Sequence, residues 1–291
     1  MRIAVLDIGG TSIKSGVWDG TCLQEYQESD TEAVLGGVCV MELAKKILKS
    51  YHDFNAIGIS TAGQVNSVKG VIHYANDNLP GYTGMEVRRI LEEEFRVPVT
   101  VENDVNAAAI GESRYGAAKG IPDFLCLTYG TGVGGAVVIN HEIYSGSEYS
   151  GGAFGGILTH PEAVEANVDF SGCYEKYASV TALVKKAVEV DHGLMDGRKV
   201  FNAFYRPEIR EIIDSWIDEM VNGLVSLIHI FNPSCIILGG GIMEQSYIIE
   251  EVNRRIPTRV VQGFKNVKIC RADLGNRAGL IGVAYMAGGG L

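Results

Sequence analysis

At 291 residues, 46% of them hydrophobic, the chain can bury a large core and is too long for one minimal core, which points to two domains or one large α/β domain. Its net charge of -10, with no basic block, disfavours nucleic acid as a partner but not a phosphate ligand, which needs only local amides and one or two cations. Six scattered cysteines without a Cys-x-x-Cys pair read as free thiols in a reducing compartment. No signal peptide is expected after Met1, and no apolar run is long enough to span a bilayer, so the expected location is the cytoplasm, with no membrane partner.

Residues 2–8 form a continuous apolar run ending in an acid and two glycines, the pattern of a strand buried on both faces. Residues 12–18 read as its hairpin partner and 21–26 as a third strand. Residues 38–50 have helical spacing, 56–60 form another buried strand, and 85–95 a helix. Residues 98–101 open a strand leading into Glu102-Asn103-Asp104, where Asn103 or Asp104 caps a helix to about residue 115. The pattern then restarts with a strand at 124–128, a glycine turn, and a returning strand at 136–139. Segment 158–170 is irregular and polar. Helices are expected at 174–190 and 209–231, a buried strand at 235–238, and a last helix at about 278–286 before a flexible glycine tail. The repeated strand, glycine turn and returning strand imply two domains of related architecture joined by a hinge.

Four motifs carry chemistry. Asp7-Ile8-Gly9-Gly10-Thr11 places glycines where backbone N–H groups can converge on an anion, beside an acid that is compatible with phosphate when Mg²⁺ lies between, usually through water. Lys14 is placed to reach a terminal phosphate. Thr128 to Gly135 offers two hydroxyls and four glycines as a second cradle, and it matches neither a P-loop nor a dinucleotide fold. Gly239-Gly240-Gly241 lets a flat adenine or ribose approach the backbone. Asp104 ends a strand where open α/β sheets bind ligands, and phosphoryl transfer needs a base for the nucleophile's proton. Each motif also has a plain alternative: a capped tight turn, a glycine-rich hairpin, a strand-to-helix turn and an N-cap.

Taken together and in this order, the motifs resemble the ROK family of bacterial sugar kinases and regulators. Thr61-Ala62-Gly63, Asn78-Leu79-Pro80-Gly81-Tyr82, Asn103 to Ala107 with Gly111-Glu112, and Gly172 to Ser179 extend the likeness along almost the whole chain. The resemblance implies the two-domain, actin/hexokinase-like (ribonuclease H-like) α/β fold. It also implies MgATP in a cleft between residues 1–115, completed by 277–291, and residues 116–276, with transfer to a sugar hydroxyl, usually O6. On it, Asp104 is the base, Asn103 holds ring hydroxyls, and Gly63, Asn78 and Glu175 also belong to the sugar site. Asp7 positions Mg²⁺ through water, and Gly9, Gly10, Thr11, Lys14, Thr131 and Gly132 serve the phosphates, while Gly240 borders adenosine. The family often forms dimers, so a homodimer is an expectation of the same kind.

Two departures qualify the likeness. Many relatives carry a Cys-x-Cys-Gly-x-x-x-Cys segment that binds zinc with a histidine. Here only Cys173 remains and Gly156 stands at the histidine position. One sulfur cannot complete a tetrahedral site, so no zinc is expected, and His160 reads as a surface residue. The glutamate and histidine that contact the sugar near O1 and O2 in relatives appear as Ala153 and Gly156. The rival readings are a sugar-responsive repressor, which would add an N-terminal helix-turn-helix module and a basic face, and a non-catalytic sensor, which would need neither Asp104 nor the phosphate turns.

Overall fold

The computed structural model describes residues 1–290 and divides into two compact units, the first comprising Met1–Gly120, Ile143–Gly151 and the chain from Asn276 onward, the second Ile121–Glu142 and Gly152–Gly275. In chain order the first contains β1 (Ile3–Ile8), β2 (Ser12–Trp18), β3 (Leu23–Asp30), α1 (Gly37–Leu48), β4 (Ala56–Thr61), the small hairpin β5 (Gln64–Asn66) and β6 (Val71–Tyr74), α2 (Val87–Phe95), β7 (Val99–Asn103) and α3 (Asp104–Tyr115). The second follows with β8 (Phe124–Tyr129), β9 (Val133–Ile139), α4 (Glu175–Ala178), α5 (Val180–Val190), α6 (Gly197–Asn202), α7 (Pro207–Phe231), β11 (Cys235–Gly239), α8 (Ser246–Arg259) and β12 (Lys268–Arg271), while the two-residue β10 (Glu142–Ile143) falls where the chain passes from the second unit to the first. The last helix, α9 (Ala278–Ala287), packs with the first unit.

The main sheets repeat one order. In the first, β3-β2-β1-β4-β7, β1 runs antiparallel to β2 and parallel to β4, which is parallel to β7. In the second, β10-β9-β8-β11-β12, β8 runs antiparallel to β9 and parallel to β11, which is parallel to β12. The buried runs of β1, β4, β8 and β11 reflect strands covered on both faces. Their carboxyl ends carry Asp7, Thr61, Tyr129 and Gly239, so the sheet topology puts the chemistry-bearing turns where open α/β sheets bind ligands.

One apolar cluster in the first unit gathers Leu6, Ile8, Ile57, Ile59, Val101 and Tyr82; a larger one in the second is built around Trp216, Tyr129, Tyr174 and Leu238. Helix α9 is apolar on nearly every face because it is enclosed: its residues from Ala278 to Ala284 are all buried. Small residues let it approach closely. A Cβ on Gly111 would lie 2.4 Å from the Ala278 carbonyl oxygen, and one on Gly58 would lie 2.9 Å from that of Val283.

Several sequence-based boundaries differ from the structure. Gly134 and Gly135 lie inside β9, so the turn itself is only Gly130 to Gly132. The helix expected at 174–190 is broken at Ser179, whose extended backbone lets its side-chain oxygen accept from Ala182 N while Trp216 Nε1 donates to the carbonyls of Ala178 and Ser179. The hairpin β5–β6 and the elements β10, α6, α8 and β12 lie where the sequence pattern predicts no element; α8 carries Pro257 in its last turn, which masks its helical pattern. The glycines expected as a flexible tail, Gly288 to Gly290, form hydrogen-bonded turns back to Ala284, Tyr285 and Met286, while Leu291 is outside the described residues. Residues 143–151 pack with the first unit: Tyr149 accepts a hydrogen bond from Asn66 and His73 pairs with Glu148. Among the described residues no helix is long and apolar enough to cross a membrane.

Candidate active site

In the first unit the turn after β1 is held from below. Gly9 N donates to Ser12 O, Thr31 Oγ1 donates to Gly9 O, and Thr31 N donates to Thr11 O. This leaves Gly10 and Thr11 exposed, with nothing within 4 Å of a Cβ placed on Gly10. Asp7 lies directly across the β1–β2 ladder from Lys14, whose Nζ is 3.5 Å from Asp7 Oδ2, while Ser60 Oγ donates to Asp7 Oδ1 at 2.6 Å. The long Lys14 contact leaves most of that ammonium's donor capacity free.

Asp104 is the first residue of α3, at the end of β7. Its Oδ1 accepts from Val105 N and from Asn103 Nδ2, both at 2.9 Å. Burial of the carboxyl, reinforced by the negative charge of Asp7, pushes its pKa up to about 7. The N-cap of α3 is Asn103: its Oδ1 accepts from Val105 N and Asn106 N, and its Nδ2 donates to Gly63 O at 2.9 Å as well as to Asp104. All the hydrogen-bonding capacity of this amide is therefore engaged within the protein, so the residue expected to hold ring hydroxyls holds Asp104 and Gly63 in place here. Gly63 has φ +100°, and a Cβ there would lie 2.8 Å from Tyr74 O, so only glycine fits without strain.

Glu102, to which the sequence assigned no role, is buried beneath this turn. It accepts from Asn103 N at 2.7 Å and Asn106 Nδ2 at 3.1 Å, and burial raises its pKa. The motifs Thr61-Ala62-Gly63 and Asn78 to Tyr82 meet through a buried hydrogen bond between Thr61 Oγ1 and Tyr82 OH. Asn78 itself stands in an exposed turn with its N–H on Asn76 Oδ1; among the described residues no hydrogen bond ties it to Asn103, Asp104 or Gly63.

In the second unit two glycine turns abut. Gly240 has φ +100°, and a Cβ there would lie 2.2 Å from Tyr129 O, immediately before the turn Gly130 to Gly132. Thr131 and Gly241 are exposed, and both Gly130 and Gly241 are open around the Cβ position. Three hydrogen bonds fasten the first turn to α4 and α5: Val180 N to Gly130 O, Thr181 Oγ1 to Thr131 O, and Val133 N to Glu175 Oε2. Ala153 and Gly156 are exposed and share one short turn, Gly156 N donating to Ala153 O. The nearest side-chain atom to a Cβ on Gly156 is Phe170 Cε1 at 3.7 Å, an apolar neighbour that the sequence did not suggest.

His160, expected as a surface residue, is held by its neighbours. It is partly buried, stacked on Tyr177 with ring centroids 3.7 Å apart, and its two nitrogens contact Glu162 and Glu219 at 2.9 Å each. Burial lowers its pKa but the two carboxylates outweigh that, so the net shift is upward. Cys173 Sγ donates to Gly156 O. Among the described residues there is no cluster of three or more His, Cys, Asp or Glu side chains able to hold a metal ion. Asp7 fits a different arrangement, one carboxylate meeting Mg²⁺ through water beside a phosphate, which requires no such cluster.

A profile of the ROK family matches residues 3–289. The chain is 31% identical to a glucokinase from Streptomyces coelicolor over 307 aligned residues, covering 97% of this chain and 96% of the relative. It is 27% identical to a β-glucoside kinase from Klebsiella pneumoniae, covering 98% of this chain and 95% of the relative. Among solved structures it resembles a ROK family glucokinase from Streptomyces griseus in complex with glucose and AMPPNP, with a TM-score of 0.88, 27% identity, and coverage of 99% of this chain and 100% of that one.

Proposed function

Since the chain belongs to the ROK family, we propose that it transfers the γ-phosphoryl group of ATP to a hydroxyl of a hexose or hexose derivative, with O6 as the acceptor. The activity class, an ATP-dependent sugar kinase, follows from the family and from the activities of its relatives. The observation that carries the assignment of roles is Asp104, a carboxyl fixed at the start of α3 by Asn103 and poised near neutral pH.

In this reading Asp104 accepts the proton of the sugar hydroxyl as its oxygen bonds to the γ-phosphorus and the bond to the β–γ bridging oxygen breaks. ADP leaves, and the proton passes from Asp104 to solvent. A pKa near the working pH suits a general base. Mg²⁺, held by Asp7 through water, would neutralise charge on the phosphates. Gly9, Gly10, Thr11 and Lys14 in the first unit, and Thr131 and Gly132 in the second, are assigned to phosphate oxygens, and Gly240 to adenosine. Gly63, Asn78, Asn103 and Glu175 are assigned to the sugar site, Asn103 acting through the groups it holds. We read the enzyme as cytoplasmic, with a homodimer as its expected assembly and no nucleic-acid partner.

The exposed pair Ala153 and Gly156, with Phe170 alongside, supports a sugar site that is open at C1 and C2. Glucose, an N-acetylated or otherwise 2-substituted hexose, and glucosides are the candidate substrates. A coupled assay of ADP release with MgATP across these sugars tests the proposal. Sugar-stimulated turnover by the wild type is expected, and its absence with every sugar would sink the assignment.

A further inference from the structure

Glu175 is assigned to the sugar, yet one of its oxygens is already spoken for. Glu175 Oε2 accepts from Val133 N at 3.1 Å, at the exit of the turn Gly130 to Gly132. The carboxylate lies so close to two glycines that a Cβ on Gly132 would lie 2.4 Å from Oε2 and one on Gly155 would lie 3.0 Å from it. Among the described residues Oε1 makes no hydrogen bond. The segment behind it is hydrogen-bonded to α7: Tyr174 OH donates to Met220 O at 2.7 Å, and Trp216 Nε1 donates to the carbonyls of Ala178 and Ser179 at the α4–α5 junction. Thr181 supplies a parallel pin, its Oγ1 donating to Thr131 O at 2.8 Å.

We infer that Glu175 is a positioning residue for the phosphate turn as well as a sugar ligand, and that Thr181 shares the positioning role. The inference rests on the reading of Thr131 and Gly132 as phosphate contacts. One carboxylate serves two substrates: Oε2 holds the turn in its binding shape, and Oε1 remains for a sugar hydroxyl. A sugar hydroxyl donating to Oε1 fixes the side chain and so steadies the turn, and by thermodynamic linkage nucleotide strengthens sugar binding by the same factor.

The test is isothermal titration of MgAMPPNP into the sugar-free enzyme, with a separate titration of the best sugar from the panel. Removing an acceptor from a charged hydrogen bond costs about tenfold in an equilibrium, so Glu175→Ala is expected to weaken MgAMPPNP by about that factor. In Glu175→Gln the carboxamide oxygen still accepts from Val133 N while the charge is gone, so nucleotide affinity is expected within about threefold of wild type, or tighter if charge repulsion is relieved. Both variants are expected to weaken the sugar. Thr181→Val, nearly isosteric, is expected to weaken the nucleotide several-fold and leave the sugar-only titration unchanged, and it serves where Glu175→Ala does not fold. Equal or tighter MgAMPPNP binding by Glu175→Ala, or by Thr181→Val in its place, would overturn the inference while leaving the kinase reading intact. A wild type that binds no MgAMPPNP would instead remove the reading beneath it.

Discussion

Gly282 of α9 lies against the backbone of Ala107 in α3, so close that a Cβ on the glycine would sit 1.7 Å from the Ala107 carbonyl oxygen. The obstruction is backbone, not a movable side-chain end, so it cannot be relieved without shifting one helix. Overpacking of this kind costs about 3 kcal/mol or more, and Gly282→Ala is expected to lower stability by that amount or to prevent folding. Gly263→Ala, with no atom within 4 Å of its Cβ position, is the control and is expected to stay within about 0.5 kcal/mol of wild type. Urea denaturation of the two variants makes the comparison; equal midpoints would show that α3 and α9 are not packed as described.

Replacing Asp104 with Asn keeps shape and removes the base. Turnover is expected to fall by about 10²–10⁴-fold, the usual contribution of a positioned base, while MgAMPPNP affinity persists. A variant retaining more than about a third of the wild-type kcat would show that Asp104 is not the base, since even the low end of that range is far larger.

The raised pKa of Asp104 makes opposite demands on activity and stability. Below about 7 the base is protonated, so kcat/KM of the wild type is expected to rise with pH and level off above that value. For stability, the folded carboxyl binds a proton at pH values where the unfolded one, titrating near 3.8, has lost it. The folded state is therefore destabilised as pH rises from about 4 to about 7, and the penalty stays in full above that window. Asp104→Asn cannot ionise, so it is expected to melt higher than wild type at pH 8 and to lose that advantage near pH 4. Parallel melting curves across this range decide; no pH dependence in the difference would mean that Asp104 titrates normally.

The protein is expected to carry no stoichiometric zinc, because Cys173 is a single sulfur and His160 is engaged by Glu162 and Glu219. A structural zinc adds directly to folding energy, so a chelator is expected to leave the melting temperature unchanged. Elemental analysis finding about one zinc per chain, without a metal-binding tag, would contradict this.

Discrimination at C1 and C2 of the sugar is expected to be weak. A site that hydrogen-bonds a hydroxyl rejects analogues lacking it because its own polar groups are left unpaired, and Ala153 and Gly156 present none. An open apolar pocket discriminates by only about 10–200-fold, so kcat/KM for glucose, mannose, 2-deoxyglucose, N-acetylmannosamine and a β-glucoside is expected to span no more than that range. A preference above roughly a thousandfold for one configuration would mean that another group closes the pocket.

Much of this protein is legible in its sequence. The apolar run ending in Asp7, the two glycine turns, and Glu102-Asn103-Asp104 between a strand and a helix are local patterns, set by neighbours a few residues apart. Their order was enough to indicate the family and its fold. What the tertiary structure alone decided are relations between segments distant in the chain. The return of residues 143–151 to the first unit depends on Asn66 and His73, some eighty residues earlier. The engagement of Asn103 by Gly63, the clamp on His160 from Glu219 in α7, and the seat of Glu175 against Val133 are likewise long-range. Hydrophobic periodicity records which face of an element is buried but not what lies against it, and a side chain's hydrogen-bond partners are chosen only when the packed elements bring donors and acceptors within about 3 Å.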